Sequence, residues 1–123
     1  MPFTERFVAG ALFLTVQDER LDAFNADHFK SGIVDFMQSG HERFVLDLSN
    51  VRFMDSRALG MLISIKKTMA DAGCFCILCP NKNVRSLFTM TRLDRIFHIF
   101  VSEEDVLTEA AKMSSGDQNG GAR

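Results

Sequence analysis

At 123 residues, with 46% hydrophobic and 24% charged side chains, the chain is long enough for one domain with a real core and has the composition of an ordinary globular protein. A formal net charge of -2, with acids and bases interspersed, excludes the basic patch that a nucleic-acid backbone requires. No segment approaches the roughly 20 apolar residues of a membrane span, and the opening M-P-F-T-E-R-F-V-A-G lacks the pattern of a signal peptide, so a cytoplasmic domain with neither nucleic acid nor membrane as partner is expected.

Phe3 to Phe7 and Leu12 to Val16 are strand candidates, and Gly10 between them predicts a tight reversal and an antiparallel pair. Asp18-Glu19-Arg20 breaks the apolar pattern. From Asn25 to Gln38, Phe29, Ile33, Phe36 and Met37 recur at helical spacing, with Asn25 as candidate cap and Gly40 as stop. Gly32 inside this helix costs about 1 kcal/mol relative to alanine. Phe44 to Leu48, interrupted only at Asp47, predicts a strand buried on at least one face, with a turn at Ser49-Asn50.

Around Asp55-Ser56 the hydrophobic period changes. Leu59, Leu62, Ile63, Met69 and Ala70 fall on one side of a helical wheel, with Arg57, Ser64, Lys67 and Thr68 elsewhere. Either Asp55 or Ser56 can cap this helix by accepting from the N–H groups that its first turn leaves unpaired, which frees the other. Arg57, Met61 and Ser64 read as lying on or beside the face opposite Leu59, Leu62 and Ile63, with Met61 exposed. Ala72-Gly73 ends the element, and Cys74 to Cys79 supplies a strand stopped by Pro80-Asn81.

Asn83 to Met90 predicts a short helix through Val84, Leu87 and Phe88, and Phe97 to Val101 a last strand. Ser102-Glu103-Glu104 opens a final helix, its acids placed where the helix dipole favours them. The polar, glycine-rich S-S-G-D-Q-N-G-G-A-R after Met113 cannot bury a core, so a domain over 1–113 and a disordered tail over 114–123 are expected. Strands alternating with helices imply right-handed β-α units on a largely parallel sheet, with one antiparallel strand at the start. In such sheets function gathers where strand ends feed helix N-termini, which is where Ser56 lies.

Chemistry-bearing residues are sparse. Cys74, Cys76 and Cys79 are an odd number in one strand and make no disulfide framework. Cys76 and Cys79 form C-x-x-C, but residues three apart on a strand face opposite ways, so buried reduced thiols are expected, with no metal and no cofactor. The chain has no G-x-S-x-G elbow and no G-x-x-x-x-G-K-[ST] loop, and His28, His41 and His98 are scattered. Ser56 as a nucleophile has no support, and the protein is not expected to be an enzyme.

The run D-L-S-N-V-R-F-M-D-S-R-A-L-G, Asp47 to Gly60, resembles the signature D-L-x-x-V-x-x-[IM]-D-S-[ST]-G-L-G of the STAS family, the sulfate transporter and anti-sigma factor antagonist domains. Downstream, N-V-R-S-L-F-T-M-T-R-L-D-R-I-F, Asn83 to Phe97, is similar to the family's V-x-x-[LI]-[FL]-x-x-[ST]-G-L-x-x-[IL]-[FI] segment. Upstream, Arg20-Leu21-Asp22-Ala23 stands where the family has G-x-L-D-x. Arg57 replaces the usual Ser or Thr, Ala58 the usual Gly, and Arg92 a common Gly; if that last position needs a left-handed backbone, the arginine costs about 1 kcal/mol there.

The resemblance implies a STAS-type α/β fold, with about five strands in a mostly parallel sheet and about four helices. It also implies an anti-sigma factor antagonist whose Ser56 is phosphorylated by a partner anti-sigma factor and serine kinase and restored by a PP2C-type phosphatase. Asp22, Asp55, Ser56, Arg57, Met61 and Ser64 would make the partner surface, on a monomer or weak dimer. The unmodified form would bind and the phosphorylated form be released. The alternative that the resemblance leaves open is an unphosphorylated STAS scaffold or adaptor in a larger assembly.

Overall fold

The computed structural model describes residues 3–69 and 74–109. Strands β1 (Phe3–Val8) and β2 (Ala11–Val16) form the expected antiparallel hairpin, with Val8 opposite Ala11. Ala9 and Gly10 between them have φ of 52° and 82°, the two left-handed residues of a tight turn whose twist matches its strands. A two-residue strand β3 (Arg20–Leu21) precedes helix α1 (Ala26–Gln38); then come β4 (Arg43–Asp47), a second two-residue strand β5 (Phe53–Met54), and helix α2 (Ser56–Met69). The chain continues through β6 (Cys74–Leu78), α3 (Lys82–Met90), a single 3-10 turn (Leu93–Arg95) and β7 (His98–Phe100) to helix α4, described over 103–109.

The five longer strands form one sheet in the order β1-β2-β4-β6-β7, parallel throughout except for the opening pair. This is the mostly parallel α/β architecture with four helices that the alternation of apolar runs predicts. Both faces of the three inner strands β2, β4 and β6 are covered, so those strands are near-continuous in apolar residues, whereas β1 at the edge carries Thr4, Glu5 and Arg6 exposed. Leu12, Leu14, Phe44, Leu46, Phe75 and Ile77 point into the larger core beneath α1, α2 and α3, where they meet Ile33, Leu62, Ile65 and Phe88. Their alternate neighbours Phe13, Val45 and Leu78 point the other way and pack with Phe100 and Val106 of α4. Arg6 of β1 holds Glu103 of α4 through two hydrogen bonds of 2.7 and 3.1 Å, which fastens that helix over the second face.

Helix ends follow local chemistry. Asn81 caps α3, its side-chain oxygen accepting from the N–H groups of Asn83 and Val84 at 2.9 and 3.1 Å, and Ser102 caps α4 through the N–H of Asp105 at 3.1 Å. Gly40 ends α1 with φ of 99°, as expected of the stop residue. Asn25 does precede α1 but makes no side-chain cap; its amide accepts from the Asp22 N–H at 2.9 Å and donates to the Arg20 carbonyl at 2.9 Å, tying up the loop before the helix instead. The expected element end at Ala72-Gly73, Ala70 on the helical face, and the tail over 114–123 lie outside the described residues.

Arg92, just past the end of α3, adopts the left-handed backbone with φ of 64°. Replacing it by the glycine that this conformation favours is expected to raise stability by about 1 kcal/mol. An unchanged urea midpoint for Arg92→Gly would show that the strain is offset locally.

Met61 is not where the helical wheel put it. It is 6% exposed, in the main core with Ala58, Leu62, Ile65 and Met69. It stands three residues after Ala58 and four before Ile65, the spacing of a buried stripe, whereas Ile63 sits beside that stripe and is half-buried. The outward face of α2 is formed by Ser56, Arg57, Gly60 and Lys67, with Ser64 partly covered at its margin.

Candidate functional site

The site is assembled by the small parallel sheet of β3 and β5, in which Arg20 pairs with Phe53 and Leu21 with Met54. Leu21 and Met54 are buried and anchor the pair to the core, so the loop leaving β3 and the helix leaving β5 start side by side. A further backbone hydrogen bond, from the Asp55 N–H to the Leu21 carbonyl, extends this register to the first turn of α2. No long apolar run announces these strands, because two residues carry no period.

Asp55 is the cap. Its Oδ1 accepts from the Ala58 N–H at 3.0 Å and its carbonyl from the Leu59 N–H at 3.2 Å. Its Oδ2 accepts from the Ala23 N–H at 3.0 Å, so a single carboxylate fastens α2 to the loop between β3 and α1. These donors, Ala58 foremost, hold the carboxyl below the usual carboxylate range. A carboxylate depressed by folding contributes stability that is present above its unfolded value and lost as pH falls through its folded one. Asp55→Ala is therefore expected to melt below the wild type by a constant margin above about pH 5, with the margin closing as pH falls below about 4. Thermal melts of both proteins over that range check it, and a margin independent of pH would mean that the charge of Asp55 has no part in the clamp.

With the cap supplied by Asp55, Ser56 is left as the first residue of α2. Its side chain is exposed, and its hydroxyl has no hydrogen-bond partner among the described residues. Beside it, the Arg57 guanidinium reaches Asp27 in the first turn of α1 at 3.7 Å, a loose pair whose two side chains are 62% and 83% exposed. One turn further on is Gly60, where an added Cβ would meet no atom within 4 Å, so the helix surface beyond Ser56 is low and open.

Asp22, expected at the partner surface, is only 7% exposed. Its Oδ1 accepts from the Phe24 N–H at 3.0 Å and its Oδ2 from Arg20 Nε at 3.2 Å, so burial turns it from a contact residue into the residue that shapes the loop. What that loop presents is Phe24, 98% exposed, which the sequence reading passed over. Phe53 is also exposed, at 42%, and the Arg20 guanidinium lies over its ring at 4.2 Å. The available signal was a phenylalanine in the polar run D-A-F-N, where nothing nearby could bury it.

No histidine hydrogen-bonds Ser56 among the described residues: His41 packs among Phe7, Phe36 and Phe44, His98 stacks on Phe100, and His28 is exposed on α1. Among the described residues no three His, Cys, Asp or Glu side chains are grouped so as to hold a metal ion, and no helix is long and apolar enough to cross a membrane.

Comparison with known proteins finds that the family model described as the STAS domain matches residues 4–106. A Thermotoga neapolitana protein provisionally named an anti-sigma factor antagonist is 32% identical over 98 residues, 78% of this chain and 87% of that one. The anti-sigma F factor antagonist of Paenibacillus polymyxa is 31% identical over 107 residues, 85% of this chain and 91% of its own. Among solved structures, the crystal structure of a Thermotoga maritima protein, also provisionally described as an anti-sigma factor antagonist, superposes with a TM-score of 0.79 at 28% identity, covering 89% of this chain and 94% of that one.

Proposed function

Because the chain belongs to the STAS domain family, we propose that it is an anti-sigma factor antagonist in a partner-switching pathway, with Ser56 as its phosphorylation site. The observation that carries this reading is the division of labour at the start of α2: Asp55 caps and clamps, and the neighbouring serine is exposed and, among the described residues, unbonded. Ser56 is then the substrate of a serine kinase that is also the anti-sigma factor, and of a PP2C-type phosphatase that restores it. In this reading Ser56 is modified rather than catalytic, and among the described residues no base hydrogen-bonds its hydroxyl.

Phosphorylation fits the local physics. A phosphate on the first helical residue meets a favourable dipole and adds charge without burying any, so the fold is retained. Its effect falls on docking. Adding about -1.5 to -2 of charge beside Asp55 and Asp27 sets repulsion and lost hydration against association. The docking face in this reading comprises Ser56, Arg57, Gly60 and Ser64 on α2, with Phe24 and Phe53 next to them and Asp55 and Asp22 supporting from beneath. The unmodified protein binds, and the phosphorylated protein is released.

Intact mass and site mapping of the protein isolated from its native cells test the proposal. The expected result is a fraction carrying one phosphate, on Ser56. A chain that stays unmodified under every growth condition would favour a constitutive STAS scaffold, and phosphate on another residue would overturn the assignment.

A further inference from the structure

Away from Ser56, β6 carries a second reactive arrangement. Cys74 and Cys76 are two residues apart, so the alternation of the strand turns both toward α4, while Cys79 joins the opposite core. Their sulfurs are 3.7 Å apart and both residues are half-buried. The pair lines a pocket of about 40 Å³ whose other walls are Ala11, Phe44, Val45, Phe100 and Val106, with Arg43 and Glu109 at its polar side. That is room for a molecule little larger than water.

The contact between the two thiols, aided by the surrounding charges, favours one thiolate. The hydrogen bond from Cys76 is the largest influence on Cys74 and holds its thiol below the ordinary range, against the opposing effect of burial, with Lys66, Arg43 and His98 adding positive potential. Cys76 is pushed up, first by its hydrogen bond to Cys74 and then by burial and by the charges of that thiolate and Glu109. An activated sulfur in a small pocket with a second thiol in contact is the arrangement of a peroxide-sensing cysteine and its resolving partner.

We propose that Cys74 and Cys76 form a hydroperoxide-reactive dithiol, Cys74 the attacking sulfur and Cys76 the resolving one, with hydrogen peroxide as the oxidant that the pocket admits. The Cys74 thiolate attacks one peroxide oxygen; the S–O bond forms, the O–O bond breaks, and the departing hydroxide takes a proton to leave as water. The Cys76 sulfur then attacks the sulfenic sulfur of Cys74. The S–S bond forms, the S–O bond breaks, and the hydroxide leaving Cys74 takes the Cys76 proton as a second water. Two thiols are oxidised by two electrons and one peroxide is reduced to two waters.

Closing the bond draws the sulfurs from 3.7 Å to about 2.05 Å. Residues two apart on a strand have Cα atoms about 6.6 Å apart, near the upper limit for a disulfide, so β6 must pucker at its first residue. The strain falls on the hydrogen bond of 2.7 Å from the Cys74 N–H to the Glu42 carbonyl, and on the floor of α4. Such a strained disulfide is readily reduced, which suits a reversible response.

All three cysteines lie between Lys67 and Lys82, so a tryptic peptide does not separate them and the test uses substitutions in the full chain. Hydrogen peroxide is added to the reduced protein, and thiol content and intact mass are followed. Wild type and Cys79→Ser are expected to lose two thiols and two hydrogens in mass, and Cys76→Ser to stop at a sulfenic acid that dimedone traps. Cys74→Ser, or Cys74→Ala if the serine variant fails to fold, is expected to react at least about tenfold more slowly, as an ordinary thiol only a few per cent ionised does. The bulky cumene hydroperoxide is expected to be slow with every form. A Cys74 variant as fast as wild type, a wild-type product that is a sulfinic acid or a disulfide-linked dimer, or cumene hydroperoxide as fast as hydrogen peroxide would each overturn the proposal.

Discussion

Protein phosphorylated to completion on Ser56 is expected to bind the proposed anti-sigma factor partner about 100-fold more weakly than the unmodified form, a loss of about 3 kcal/mol. The Ser56 hydroxyl is exposed and has no hydrogen-bond partner among the described residues, so Ser56→Ala is expected to bind as tightly as wild type and to resist release. Ser56→Asp supplies one charge in place of the phosphate's two, nearer the helix backbone, and is expected to weaken binding by about tenfold. Titration calorimetry with the three proteins checks the series. Equal affinities throughout would remove Ser56 from the interface, and the switch with it. Amide chemical shifts provide the companion measurement: changes confined to Ser56 and its neighbours in α2 and the β3–α1 loop mark an interface switch, and changes spreading into β6 or α4 mark a conformational one.

Phe24→Ala is expected to cost about 30- to 100-fold in affinity for the same partner while leaving the melting curve unchanged. At 98% exposure the ring contributes no burial to the folded monomer, so its removal leaves the core intact. Its backbone is nevertheless held by the Asp22 carboxylate, with Ala23 bonded to Asp55 on one side and Asn25 to the Asp22 carbonyl on the other. A large aromatic group held out on an ordered loop beside Ser56 loses little entropy on docking, the property of an interface anchor. Unchanged affinity for Phe24→Ala, with Ser56 still decisive, would place the partner further along α2 toward Gly60 and Lys67.

The same loop explains why the two substitutions are expected to act together. Asp55 fastens the segment carrying Phe24 to the first turn of α2, so charge added at Ser56 and the aromatic group on the loop belong to one rigid patch. Their effects are expected to be non-additive in a double-variant cycle, as for neighbours that share a partner.

The sequence by itself determined the framework. Runs such as Phe44 to Leu48 and Cys74 to Cys79 are apolar on both strand faces and alternate with helical periods, and that pattern has one economical solution, a mostly parallel sheet covered on both sides. Gly10 and Gly40 were legible as turn and stop because a positive φ selects few residues. The position of Ser56 at a helix start was legible from the change of period alone. Which of Asp55 and Ser56 does the capping was not, since both side chains have the chemistry and only the Ala23 N–H, brought from 32 residues away, makes the two oxygens of Asp55 the better match.

Tertiary structure also decided what a wheel cannot. Met61 is buried because α2 packs through a stripe that includes it with Ala58, Leu62, Ile65 and Met69, while Ile63 beside that stripe is left half-buried. Asp22 looks like a surface acid in sequence, yet it is enclosed by its own turn. Phe24 is exposed because the paired strands β3 and β5 fix the loop facing outward, and Cys74 meets Cys76 above a pocket that exists only once α4 crosses the second face of the sheet. Periodicity reports which residues an element can bury; which it does bury, and which it leaves open for a partner, depends on neighbours supplied from elsewhere in the chain.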